Sequence, residues 1–402
     1  MAGSSAQRAY SGGSKVQPIR ERSAGTVRVR KKFRVFSVRS GMDLPFLFLV
    51  LVLVVIGLVM MFSASYANAY YRFGNSYYFI IRQGIFAVIG VAAMIFISYF
   101  DYHHLHAFAF PILLLSLALL VLVRFMPPPS GSGGVHRWIS LGPLGQFQPS
   151  EIAKFAVVLI FAHLISLNFS RMGTFRYGVL PYMLILIAVD ALLMSEPHIS
   201  ATVILTLIAG VMLFVGGIKL RYFAIAFGAV GAGVAYLVLF SDKFGYAGER
   251  LAGWLDPFST WQTRQSLYAI GSGGLLGLGL GQSRQKYLYL PEPQNDFIFA
   301  IVCEELGFIG ALIIIILFAM LIWRGISISL RASDKFGMLL GIGIILQVGL
   351  QVVLNIAVVT NTIPNTGISL PFFSYGGTSL VVLLAEMGVV LSISRTSSIE
   401  KT

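Results

Sequence analysis

Three carboxylates carry the first chemical question in this 402-residue chain. In LPEPQNDFIFAIVCEELG, Leu290 to Gly307, Asp296 stands where a polar segment enters an apolar run, and Glu304 and Glu305 lie inside that run. A carboxylate at the mouth of a membrane helix can act as a general base toward a hydroxyl. It can equally be a cap favoured by the helix dipole. Acids deeper in a membrane segment flag function by default, because hydrocarbon tolerates them poorly. On a straight helix Glu304 lies about 80° from the Asp296 direction and about 12 Å deeper, whereas Glu305 lies about 180° away. Glu304 is therefore expected to face the same cavity as Asp296, or to pair with a polar group such as Lys154. Glu305 is expected to be structural. Cys303, the only cysteine, sits in the same apolar run and reads as a small core residue.

The cations nearby suit an anionic ligand. Arg250 offers a fork and Lys286 a point charge, the two ways a protein holds a diphosphate. The bland alternative is ion pairing with Glu249 and Glu292. Glycines crowd the same stretch, GSGGLLGLGLGQSRQK. They lack the strand-then-helix setting of a dinucleotide fingerprint and are read as irregular backbone beside a ligand. Upstream, GGVHRWISLGPLGQFQPSEIAK holds Arg137 and Lys154. Its Ser150 is expected to cap a helix, and Lys154, one turn in, either contacts a ligand or snorkels to the headgroups. Downstream, NTIPNTGISLPFFSYGGTS breaks helical structure at membrane level, which is tolerated only where backbone is buried in protein or lines a cavity. The DYHHLH histidines, His103, His104 and His106, are read as interfacial, not as a metal site.

These residues need a membrane scaffold. Hydrophobic residues make up 57% of the chain and charged residues 11%. Soluble domains hold about 25% charged residues, so this is a multi-span membrane protein. The apolar runs are too long for barrel strands, leaving an all-α integral membrane protein. Ten stretches qualify as spans, roughly 44–64, 78–99, 107–126, 152–169, 178–194, 199–217, 221–241, 297–323, 337–360 and 379–395. The fifth and sixth are short. No repeat and no cleavable signal are evident.

Residues 1–42 carry ten Lys/Arg and one acid, +9 of the chain's +13. This tail is read as disordered, cytoplasmic and topology-setting, without a nucleic-acid partner. With ten spans, both termini lie in the cytoplasm, and the cations at Arg171, Arg176, Lys219, Arg221, Arg324, Arg331 and Lys335 fall inside. The domain reading is a basic tail over 1–42, a ten-helix domain over 43–396 with its large outer loop at 242–296, between the seventh and eighth helices, and a cytoplasmic C-terminus over 397–402. That loop carries five cations on the side the positive-inside rule disfavours, so they call for a task.

The stretches RWISLGPLGQFQPSEIAK, ERLAGWLDPF, GLGLGQSRQKYLYLPEPQNDFIFAIVCEELG and IPNTGISLPFFSYGGTS together resemble the SEDS family of FtsW, RodA and SpoVE, over roughly 44–395. The stretch FSASYANAYYRFGNSYYFIIRQ leans toward the FtsW/SpoVE branch. The resemblance implies a peptidoglycan glycosyltransferase of the bacterial cytoplasmic membrane that polymerises lipid II into β-1,4 glycan strands. It inverts the anomeric centre, with undecaprenyl diphosphate leaving. It implies Asp296 as the catalytic residue, and Arg250, Lys286, Glu292, Arg137, Lys154, Ser374 and Glu304 as substrate-side positions. It implies a class B penicillin-binding transpeptidase, other divisome proteins and membrane lipids as partners, and leaves room for a divalent cation, Mg or Mn. Two departures stand out. Gln294 and Asn295 replace a histidine and a threonine common beside the aspartate, and His198 replaces a common aspartate, with Glu196 two residues before it. Two other function classes remain at this point: a lipid II flippase and a non-catalytic scaffold for a transpeptidase.

Overall fold

The structure is a computed structural model, and it describes residues 41–127, 136–140, 142, 146–196, 198–240, 250 and 253–396. The basic tail, apart from its last two residues, and the C-terminus at 397–402 lie outside the described residues.

The fold is all-α. Its helices are α1 (Leu44–Phe73), α2 (Tyr78–Tyr99), α3 (Leu105–Phe125), α4 (Pro149–Asn168), α5 (Leu180–Ser195), α6 (Ile199–Val215), α7 (Leu220–Phe240), α8 (Trp261–Gly273), α9 (Ile298–Leu330), α10 (Lys335–Val359) and α11 (Gly377–Thr396). Among the described residues, eight helical segments are long and apolar enough to cross a bilayer, and α6 is a shorter apolar helix. The one sheet among the described residues is a two-strand antiparallel pair, Ile139–Ser140 with Gln146–Phe147, just before α4. Its strands are too short to read from periodicity.

Helix ends follow local chemistry. Asp43 caps α1 by accepting from the Phe46 N–H at 3.0 Å. Gly74, at φ 67°, closes it through a bond to the Tyr70 carbonyl. Asp334 caps α10 by accepting from Phe336 and Gly337. α4 departs from expectation. Gln148 holds the cap position, Pro149 begins the helix, and no side chain caps it. Ser150 is already inside the helix and buried. Proline's fixed φ suits a first helical position, and the helix starts two residues earlier than a Ser150 cap would place it.

Close helix packing uses small residues where backbones meet. Gly388 of α11 lies against Met94 of α2, and Gly343 of α10 against Val158 of α4. At one end of the bundle Arg324 of α9 forks onto both oxygens of Asp43, at 2.8–3.1 Å, and Ser394 of α11 accepts from the Asp43 N–H. The same end holds the Tyr102–Asp334 hydrogen bond and the His103–Asp101 pair at 2.6 Å. His106 meets His163 at 2.7 Å. Among the described residues no group of three or more His, Cys, Asp or Glu is placed to hold a metal ion.

The decisive irregularity is in α9. Gly307, at φ 68° and ψ −170°, breaks it. The segment after α8 enters the break and exchanges backbone bonds with it. Leu278 and Gly279 donate to the Glu304 and Glu305 carbonyls, while Phe308 and Ile309 donate to Gly274 and Leu275. A Cβ at Gly277 would stand 2.2 Å from the Glu305 carbonyl oxygen, and one at Gly307 2.3 Å from the Gly277 nitrogen. The glycine run is therefore required by a neighbouring helix; its close contacts here are with α9.

Candidate active site

Asp296 lies just before α9, at the end of the bundle opposite Asp43 and Arg324, and is partly buried. It is not the helix cap. Phe297 occupies that position and no side chain caps it. The aspartate is held through its backbone. Asn355, fully buried in α10, donates one Nδ2 to the Asp296 carbonyl at 2.8 Å and to the Ile368 carbonyl at 2.6 Å. The side chain rests over Gly367, whose φ is 66°. A Cβ there would stand 3.0 Å from Asp296 Oδ2, so glycine suits both the turn and the contact.

The irregular segment 361–376 is the other wall. Ser374 accepts from the Leu370 N–H at 2.8 Å and donates to the Asn295 carbonyl at 2.7 Å. The Tyr375 N–H donates to the Gln294 carbonyl, and the Gly376 N–H to Gln83 Oε1. Ser374 thus pins the segment that carries Asp296. Gln294 is buried and accepts from Asn68 at 3.2 Å, a packing role for a residue that departs from the family pattern.

Electrostatics set the carboxyl of Asp296. Burial pushes its pKa up to about 6, with Glu292 adding to the rise and Arg250 and Arg137 opposing it. A carboxylate in that range is ionised at neutral pH yet basic enough to accept a proton. Arg250 is exposed, and its Nη1 donates to the Asn365 carbonyl at 3.0 Å. Its expected alternative partner, Glu249, lies outside the described residues. The Arg137 Nε donates to the Glu196 carbonyl at 3.3 Å. Glu292, at φ 49°, pairs with Arg72 at 2.7 Å and accepts from Asn295 at 2.7 Å.

Three expectations are corrected. Lys286 does not present its charge to a ligand and does not pair with Glu292. It is buried, and its ammonium bonds Glu305 at 3.0 Å, the Gly281 carbonyl at 2.6 Å and Ser63 at 3.2 Å. All three of its donors are used. Glu304 does not face Asp296 and does not pair with Lys154. It accepts from Ser283 Oγ at 2.5 Å and from the N–H groups of Arg284 and Gln285. Glu304 and Glu305, expected on opposite faces, both clamp the 281–286 loop, because the break at Gly307 lets that loop reach both. Lys154 does not snorkel. It is buried and paired with Glu151 at 2.9 Å, one turn earlier on the same helix.

His198 and Glu196 share the turn between α5 and α6. Both are buried. Burial, with the nearby Arg137 and Lys154 charges, lowers His198 to about 3, so its ring is neutral. Burial raises Glu196 to about 8 against the pull of Arg137 and Arg124.

The sequence reading passed over Asn355 and Arg72. Asn355 had a signal, one of three buried amides, with Gln347 and Gln351, within the apolar run of α10. Arg72 had none beyond its charge. A divalent cation fits in only one form here. Asp296 would supply a single carboxylate and the remaining ligands would come from substrate and water, a mode Mg²⁺ accepts.

The chain is similar to known proteins over nearly all of its length. Residues 44–399 match the FtsW/RodA/SpoVE family model, described as cell cycle protein. The chain is 42% identical over 365 residues to stage V sporulation protein E of Bacillus subtilis, covering 89% of this chain and 98% of the relative. It is 39% identical over 358 residues to a probable peptidoglycan glycosyltransferase FtsW of Geobacter sulfurreducens, covering 88% and 95%. Among solved structures, it superposes on a chain from a peptidoglycan synthase complex that coordinates polymerisation and crosslinking, with a TM-score of 0.69, 26% identity and coverage of 90% and 99%. It also superposes on the rod shape determining protein RodA of Thermus thermophilus, with a TM-score of 0.66, 26% identity and the same coverage.

Proposed function

The chain belongs to the FtsW/RodA/SpoVE family and is a peptidoglycan glycosyltransferase, and from that premise we propose that it joins lipid II units through Asp296 at the outer face of the bacterial cytoplasmic membrane. The 4-hydroxyl of the acceptor sugar attacks the anomeric carbon of the donor. Asp296 takes the hydroxyl proton as the new C–O bond forms. The bond to undecaprenyl diphosphate breaks with its electron pair, and the configuration inverts to a β-1,4 link. Arg250 and Arg137, both close enough to depress the Asp296 pKa, stabilise the negative charge that develops on the diphosphate. If a Mg²⁺ or Mn²⁺ ion takes part, Asp296 is the residue that would hold it, and the ion would supply charge neutralisation for the leaving diphosphate.

The observation that carries this reading is Asp296 itself. Its carboxyl is raised toward neutrality, its backbone is anchored by Asn355, and it has no capping task. The lipid tails of donor and acceptor would lie among the helices. The cation distribution supports a topology with both termini in the cytoplasm. A class B transpeptidase is the proposed partner, supported by likeness to a chain from a polymerising and crosslinking complex. Other divisome proteins complete the setting.

The test is lipid II polymerisation by the purified protein, with and without the transpeptidase, comparing wild type with Asp296→Asn. Glycan chains from wild type and none from a folded variant support the base. Equal polymerisation by both removes Asp296 from the chemistry. No polymerisation under any condition moves the flippase or scaffold reading ahead.

A further inference from the structure

Helices α4 and α6 begin side by side, and neither N-terminus is capped by a side chain. Gln148, at the cap position of α4, lies 3.5 Å from His198 at the cap position of α6. The first-turn N–H groups of both helices therefore have positive dipole ends facing one region. Helix N-termini alone would carry little. The side chains around them add an independent observation.

Ser150 Oγ, His198 Nδ1 and Glu196 Oε1 are buried, in residues 2%, 7% and 2% exposed, and none has a hydrogen-bond partner among the described residues. Thr366 Oγ1, whose carbonyl accepts from Ser200 of α6, is a fourth such atom. Leaving a buried polar group without a partner is unfavourable. Four within one neighbourhood point to a ligand. Their chemistry indicates its sign. The Gln148 amide donates to His198 Nε2, which makes Nε2 the accepting nitrogen and places the ring hydrogen on Nδ1. Nδ1 is then a donor. The hydroxyls of Ser150 and Thr366 can donate, and Glu196 is a neutral acid at pH 7, carrying its own O–H. Burial keeps the ring of His198 neutral, and Arg137 and Lys154, the latter paired with Glu151, add cationic charge close to it.

We infer that the N-termini of α4 and α6, with Ser150, His198 and Arg137, form a binding site for a diphosphate anion, delivered there on an isoprenyl lipid. This places the anion on the α4–α6 side of Asp296, where Lys286 plays no part. Arg137 links the two places, because its charge reaches Asp296 as well as His198. The identity of the lipid rests on the glycosyltransferase reading; the binding of the anion does not.

The experiment is equilibrium binding of farnesyl diphosphate, inorganic diphosphate and phosphatidylglycerol to the full chain in nanodiscs. It compares wild type with Ser150→Ala and His198→Phe, with thermal unfolding measured in parallel. Wild type is expected to bind farnesyl diphosphate, and each variant to bind about tenfold more weakly, the loss of about 1.4 kcal/mol for one charge-assisted hydrogen bond. Ser150→Ala removes one oxygen and keeps the fold, so it decides the matter even where His198→Phe does not fold. Inorganic diphosphate competing as well as the farnesyl compound makes the free anion the ligand, and competition by phosphatidylglycerol alone makes a membrane headgroup the ligand; both support the anion site and revise its source. No binding by wild type, or equal binding by wild type and folded Ser150→Ala, overturns the proposal. The Asp296→Asn variant separates the two readings: anion binding that persists without polymerisation upholds this site even if the catalytic assignment falls.

Discussion

At the scale of single residues, Asp296 is the group whose titration the enzyme should report. Its carboxyl is raised to about 6 by burial, and a general base works only when ionised. The rate at limiting lipid II should therefore rise with pH through about 6 and level off above it, as a pH profile of glycan synthesis will show. Arg137 and Arg250 lower that pKa, so Arg137→Gln or Arg250→Gln should move the midpoint upward. Asp296→Asn should lower the rate by about 10²-fold or more. Lys286 belongs to a different class. Replacing it with Met leaves Glu305 buried without its cation, which destabilises by about 3–5 kcal/mol. The double variant Lys286→Met with Glu305→Gln should recover much of that loss in thermal unfolding. A phosphate contact would show the opposite pattern, with intact stability and a raised KM.

At the scale of elements, the break in α9 and the irregular segment 361–376 build the site between them. The break accepts the backbone of 274–279, and its two carboxylates hold the loop over 281–286. Gly307→Ala would place a Cβ 2.3 Å from the Gly277 nitrogen and strain a positive φ. It should lower the unfolding temperature and loosen the whole loop, measured as faster amide exchange at 274–286. Asn355 ties α10 to both walls through one amide nitrogen. Asn355→Leu should reduce the turnover rate more than it raises KM, because it frees the position of Asp296 without touching a ligand. A purely structural role would show only in the unfolding temperature.

At the scale of the molecule, the two ends of the bundle have different tasks. The end holding Asp43, Arg324 and Ser394 is a lock between α1, α9 and α11. Arg324→Gln leaves the Asp43 carboxylate buried without its fork, and should lower stability while leaving polymerisation by the folded fraction intact. The opposite end holds Asp296, Arg137, Arg250 and the irregular segment, where backbone leaves the helical pattern and polar groups gather. Burial in the bundle is the common cause: it raises Asp296, strips the charge from His198 and commits Lys286 to Glu305.

The amino-acid sequence by itself determined the all-α membrane class, the places of the long helices and the singular position of Asp296. Hydrocarbon requires long apolar segments whose backbone bonds are satisfied internally, whatever packs beside them. An acid at such a boundary stands out for the same reason. Tertiary structure alone decided the partners. Projecting Glu304 and Glu305 around α9 presumed a straight helix, and Gly307 breaks it where a segment some thirty residues earlier enters. Which cation a buried carboxylate takes depends on which loop reaches it, so Lys286 went to Glu305 and Arg72 to Glu292. The unpartnered donors around His198 became visible only once two helix starts, about fifty residues apart in the chain, were seen to meet.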